Sequence, residues 1–150
     1  MPISICTDSL REAAGSLRAG DRPLPFPLMD AVIYYSGSTP APGGLPIGAC
    51  GPTTSGRMDF FTPRLHDLGL CATIGKGARS RDVVEAIRRH RGVYLCAVGG
   101  AGALAARSVV SCEVIAFPEL GCEAVKRLVV RDFPLIVGVD CRGGNLFERA

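Results

Sequence analysis

Absences narrow the field first. The 150-residue chain has no tryptophan, two histidines and two lysines, and none of its seven cysteines stands in CxxC spacing with another. Without aromatics interleaved among basic residues, nothing suggests a base-stacking surface for nucleic acid. The net charge is a modest +3, spread along the chain, and its densest cluster is Arg88, Arg89 and Arg91 around His90. Basic residues at a helix end complement the helix dipole, which is the simpler reading of that cluster. The uncharged, apolar run VYLCAVGGAGALAA is too short and too rich in glycine to cross a bilayer. No basic-then-apolar pattern marks a signal sequence at the N-terminus. Zinc and iron–sulfur sites need clustered ligands, and the cysteine spacing supplies none, so no metal ligand is assigned. Cysteines inside apolar runs such as LGLCATI and VYLCAV read instead as reduced, buried thiols. The expectation is a soluble, cytoplasmic protein with no membrane or nucleic-acid partner.

What is present suits one compact domain over residues 1–150. Hydrophobic residues make up 47% and charged residues 21%, enough to build a core, while 19 glycines and 11 prolines imply short elements joined by tight turns. TDSLREAAGSLRAG predicts an amphipathic helix with Leu10, Ala13, Ala14 and Leu17 on one face and Ser9 and Glu12 in capping-box spacing. DRPLPFPL must be an extended connector, and AVIYYSG a buried strand. In TPRLHDLG, Thr62 is expected to cap a helix, with Pro63 at its first position and Gly69 ending it. LCATIG reads as a strand and GKGARS as a turn, after which Ser80 caps a helix that turns Val83, Val84 and Ile87 toward the core. VYLCAVGG is a strand, AGALAARS a helix, CEVIAF a strand, ELGCEAVKRL a helix broken by DFP, and LIVGVD the last strand. His66 and His90 read as surface helix residues. Strands alternating with short helices argue for an α/β sheet with some parallel pairing. Ligands bind such sheets at the carboxyl ends of the strands, which directs attention to SGSTP, GPTTSGR, IGKG and VGGAGA.

The stretch GACGPTTSGRMDFFTP is the least core-like in the chain. GPTTSGRM nearly matches the phosphate-binding P-loop, but Arg57 replaces its lysine and Met58 its magnesium-binding hydroxyl, and Pro52 removes an N–H from the cradle. A nucleotide site is therefore excluded in favour of a small-anion site. Thr53, Thr54 and Ser55 offer hydroxyl donors, Gly51 and Gly56 let backbone approach a ligand, and Arg57 can grip a carboxylate with two parallel hydrogen bonds. Lys76, between two glycines after the next strand, adds a second cation, a set that suits a dicarboxylic acid. A capped turn with a surface lysine beside it is the competing structural reading.

GACGPTTSGRMDFFTPRL, IGKG, VYLCAVGGAGAL, ELGCEAV and DFPLIVGVDCRGGNLF, in that order, resemble the β subunit or C-terminal domain of the iron–sulfur hydro-lyases, class I fumarate hydratase and L(+)-tartrate dehydratase. The resemblance runs from about residue 6 to near the C-terminus. It implies an α/β fold of the swivelling β/β/α type, three layers with a mixed central sheet. It implies a hydro-lyase subunit, inactive alone, that reversibly dehydrates malate to fumarate or tartrate to oxaloacetate. It also implies a partner α subunit carrying the [4Fe–4S] cluster, one iron of which acts as a Lewis acid on the substrate hydroxyl, with no cofactor on this chain. By the same resemblance Thr53 is the candidate for proton transfer, and Thr54, Arg57 and Lys76 the candidates for gripping substrate carboxylates.

Two departures from the family pattern stand out. Where the family carries RDAAH, this chain has TDSLR, so that Thr7 replaces an arginine that contacts substrate, Asp8 matches and Arg11 replaces the histidine. Only six residues precede that helix, where the family has a leading segment with at least one strand. A non-catalytic relative that binds small carboxylates or a protein partner is the alternative, and homo-oligomer formation is left open.

Overall fold

The computed structural model of the chain describes residues 2–5 and 24–148. Cys6, Thr7, Arg11 and the helix expected between them and Gly20 lie outside those residues.

Seven strands form one mixed sheet in the order β5-β6-β1-β2-β3-β4-β7. Its centre is four parallel strands: β1 (Pro2–Ile5), β2 (Val32–Tyr34), β3 (Ala72–Gly75) and β4 (Val93–Cys96). One flank adds β6 (Val125–Val130) antiparallel to β1, then β5 (Val109–Ala116) antiparallel to β6. The other flank adds β7 (Ile136–Val139) antiparallel to β4. Among the described residues three α-helices accompany them: α1 (Thr62–Asp67), α2 (Arg81–His90) and α3 (Gly102–Arg107).

Both faces of the central strands are covered, so β2 and β3 are buried at every position. The alternation of side chains along a strand splits them between two cores. Val32 and Tyr34 join Ile74, Ala105, Ala106 and Leu128 on one face. Ile33 and Tyr35 join Phe26, Met58, Leu65 and Val125 on the other. Fully burying an aliphatic side chain such as Ile33 or Ile74 contributes roughly 1.5–3 kcal/mol.

The expected helix α2 forms as its residues dictate. Ser80 accepts a hydrogen bond from the Val83 N–H at 3.4 Å, Val83, Val84 and Ile87 are buried, and Arg91 ends the helix in a left-handed conformation. Helix α1 also forms, but Thr62 does not cap it. Its hydroxyl turns inward and donates to the Met58 carbonyl at 2.8 Å, and Phe61 stands at the cap position without a side-chain bond.

ELGCEAVKRL is not a helix. Residues Pro118–Glu123 form a 3-10 turn interrupted at Gly121 (φ 55°, ψ −108°), a backbone conformation open to glycine, and β6 follows at once. Val125, Val129 and Val130 prefer extended backbone because of their branched Cβ atoms, and the sheet flank left free by β1 and β5 decides the matter. His66 is also not a surface residue: it is 1% exposed.

Candidate functional site

The four glycine-rich segments meet at the carboxyl ends of the parallel strands. Tyr35, just past β2, accepts through its carbonyl a hydrogen bond from the Thr53 N–H at 2.8 Å. Just past β3, the Lys76 N–H donates to the Thr53 carbonyl at 3.3 Å, and the Lys76 carbonyl accepts from the Ser55 N–H at 3.0 Å. Thr54 and Lys76 thus pair as a short parallel bridge, and Ser36 pairs with Pro52 as an antiparallel one. The loop beyond β4 closes the arrangement. The Cys50 N–H donates to the Gly102 carbonyl at 3.1 Å, and a Cβ placed on Gly99 would lie 3.9 Å from Lys76 Nζ. Nineteen residues of sequence separation between Arg57 and Lys76 collapse into one edge of the sheet.

Along this stretch the side chains alternate in environment. Thr53 is half-buried, Thr54 exposed, Ser55 buried, and Arg57 and Lys76 exposed. Neither Arg57 nor Lys76 has an ion-pair partner among the described residues. Two cations without ion-pair partners among the described residues, in the same loops as two hydroxyls that are not fully buried, have the chemistry to meet a small dianion.

Ser55, by contrast, is not available to a ligand. Its hydroxyl lies 3.0 Å from the Tyr94 hydroxyl, which donates in turn to the Gly77 carbonyl at 2.8 Å. Tyr94 therefore ties both loops of the site to β4, and burial raises its pKa, so the hydroxyl stays protonated. Gly75 makes this approach feasible, since a Cβ there would land on Ser55 Oγ. Met58 is buried in the core, which removes the last part of the P-loop likeness.

Beneath the site lies a buried ionic anchor that carries no signal in the sequence. Arg79 Nε donates to Asp59 Oδ1 at 2.6 Å, Nη1 to Thr73 Oγ1 at 3.1 Å and Nη2 to Thr62 Oγ1 at 2.9 Å. Its guanidinium stacks 4.9 Å from the Tyr94 ring centroid and 5.5 Å from that of Tyr35. The other Asp59 oxygen accepts from the Ser80 N–H, which fastens the start of α2 to the segment following Arg57. GKGARS, expected as a turn, leaves β3 through the Lys76 bridge and a bend at Gly77, and is pinned from inside by Arg79.

The histidines stand away from this edge. His66 Nδ1 bonds the Leu70 carbonyl at 2.8 Å while its buried Nε2 finds no partner, and burial lowers its pKa. His90 lies 2.8 Å from Asp67, beside Arg89. Of the described cysteines, Cys50 is buried, Cys96 and Cys112 half-buried, and Cys71, Cys122 and Cys141 exposed, so Cys71 of LGLCATI and Cys96 of VYLCAV are not the buried thiols expected of those runs. No group of three or more His, Cys, Asp or Glu side chains among the described residues could hold a metal ion. No helix among the described residues is long and apolar enough to cross a membrane.

The chain is similar to fumarate hydratases and to a putative tartrate dehydratase subunit. The class I anaerobic fumarate hydratase of Escherichia coli K12 is 41% identical over 128 residues, covering 84% of this chain and 23% of its own length. The mitochondrial fumarate hydratase 1 of Leishmania major is 36% identical over 149 residues, 98% of this chain and 27% of its own. A putative L(+)-tartrate dehydratase β subunit of Methanocaldococcus jannaschii is 36% identical over 131 residues, 83% of this chain and 67% of its own. The chain thus spans about a quarter of the length of these fumarate hydratases. The model of the Fumarase C-terminus family matches residues 5–150, and this chain belongs to that family.

Proposed function

We propose that the chain is the β-type part of a hydro-lyase that reversibly removes water from a 2-hydroxy dicarboxylic acid, malate or tartrate. In this reading it is a swivelling β/β/α domain that works in the cytoplasm with an iron–sulfur α subunit. The observation that carries the reading is the junction of the TTSGR and GKG segments, where Arg57 and Lys76, without ion-pair partners among the described residues, share two joined loops with Thr54 and Thr53. Arg57 holds one carboxylate through its fork of N–H groups, and Lys76 and Thr54 hold the other end of the substrate. Gripping both ends fixes the carbon that exchanges a proton relative to Thr53, and orientation of this kind lowers the barrier by restricting motion in advance. A threonine hydroxyl is a weak base in water, so Thr53 works in a closed site with a second proton acceptor from the partner. The cluster is assigned to that partner.

Arg57→Lys tests the reading, since lysine offers a point charge and no fork. Losing a charge-assisted hydrogen bond costs ~1.5–3 kcal/mol, so fumarate or tartrate affinity of the partner-bound protein should fall about tenfold or more by calorimetric titration. Unchanged affinity would reduce TTSGR to a structural turn.

A further inference from the structure

A second cationic pocket lies on the same sheet, between the segment 38–47 and residues of β5 and β6. It is a cavity of ≈ 380 Å³, and none of Thr53, Thr54, Arg57 and Lys76 lines it. Lys126, at the start of β6 opposite Ile5 of β1, forms its polar end. Pro40, Pro46, Ile47 and Val114 supply apolar wall. The volume falls within the roughly 300–1,000 Å³ range of small-molecule sites.

The chemistry of Lys126 sets this cavity apart from an ordinary surface dent. The residue is 7% exposed. Its ammonium donates to the carbonyls of Gly121 and Cys122, at 3.2 and 2.8 Å, and to Ser38 Oγ at 3.0 Å. All three acceptors are neutral, and no carboxylate of the described residues forms an ion pair with it. Among the described residues the buried charge is met only by neutral oxygens, at a cost that an anion would relieve. Ser38 is buried too, and while its oxygen accepts from Lys126 its own proton has no acceptor among the described residues. It is thus placed to donate to whatever anion approaches Lys126.

We infer that this cavity binds a small monocarboxylate with an aliphatic body, its carboxylate accepting from the Ser38 hydroxyl beside the Lys126 ammonium and its chain against Pro46, Ile47 and Val114. One charge at one end and apolar walls elsewhere select against a dicarboxylate, whose second charge would be desolvated without a partner. The pocket therefore takes a different ligand class from the Arg57–Lys76 edge.

The chain has only two lysines, which makes the test direct. With ¹⁵N-lysine label in the full-length protein, side-chain ammonium spectra report Lys76 and Lys126 separately. Sodium pentanoate should shift the Lys126 signal saturably, with a Kd on the order of 1 mM, and leave Lys76 in place. Pentanol should not compete. Calorimetric titration of Lys126→Met should show at least tenfold weaker pentanoate binding. Should that variant fold poorly, Val114→Phe fills the cavity from a half-exposed strand position and should abolish binding while the Lys126 signal persists. A Lys126 signal unmoved by pentanoate, parallel unsaturable drift of both lysines, or full binding by Val114→Phe would each overturn the inference.

Discussion

Replacing Arg79 by methionine is the sharpest test of how the site edge is held. Its side chain is fully buried, and that of its carboxylate partner Asp59 is 15% exposed. Methionine fills much of the volume but removes the three side-chain bonds to Asp59, Thr73 and Thr62 and the stacking on Tyr94. Removing one member of a buried ion pair typically costs about 3–5 kcal/mol, because the other charge is left behind. Asp59 keeps its bond from the Ser80 N–H and some contact with water, and Thr62 keeps its bond to the Met58 carbonyl. Those remaining contacts place the expectation at the lower end, about 3 kcal/mol. For a chain of this size each kcal/mol lowers Tm by roughly 3 °C, so thermal unfolding followed by circular dichroism should move down by about 9 °C. Arg79→Lys should fall between, since lysine can reach one acceptor but cannot serve three at fixed angles. A Tm within about 3 °C of the parent for Arg79→Met would refute the role assigned to this anchor.

Two further outcomes follow from the same packing. Gly75→Ala places a methyl group on Ser55 Oγ and 3.3 Å from the Tyr35 ring, so it should destabilise by roughly 1–3 kcal/mol, and a second change, Ser55→Ala, should return at least half of the lost Tm. Failure of the second change to rescue would mean that the strain lies elsewhere. His66 has its pKa lowered below the ordinary 6.5, first by burial, so the unfolded chain takes up the proton more readily than the folded one. Its contribution is intact above about pH 6.5 and is lost as pH falls below that value toward the folded pKa. Urea midpoints measured between pH 7 and 5 should therefore decline more steeply for the parent than for His66→Phe, and identical slopes would remove His66 as the cause.

The local sequence determined the parts whose physics is local. The branched and aromatic run at Val32–Tyr34, the Ser80 cap with its apolar stripe and the glycine-flanked loops after β3 and β4 are set by residues close in the chain. The residue types of TTSGR and GKG also make these segments the candidate anion site before any contact is known, because fork, hydroxyl and backbone access are properties of single residues. Tertiary structure decided what depends on neighbours distant in sequence. Residues 125–130 became a strand because β1 and β5 offered paired edges on either side, not because of their own periodicity. His66 went inside and Ser55 turned away from the ligand edge because Leu70 and Tyr94 supplied their partners. Arg79 and Lys126 look like any basic residue in the sequence, yet each is buried. Burial of a charge is settled by the oxygens that surround it, and those come from segments up to 88 residues away.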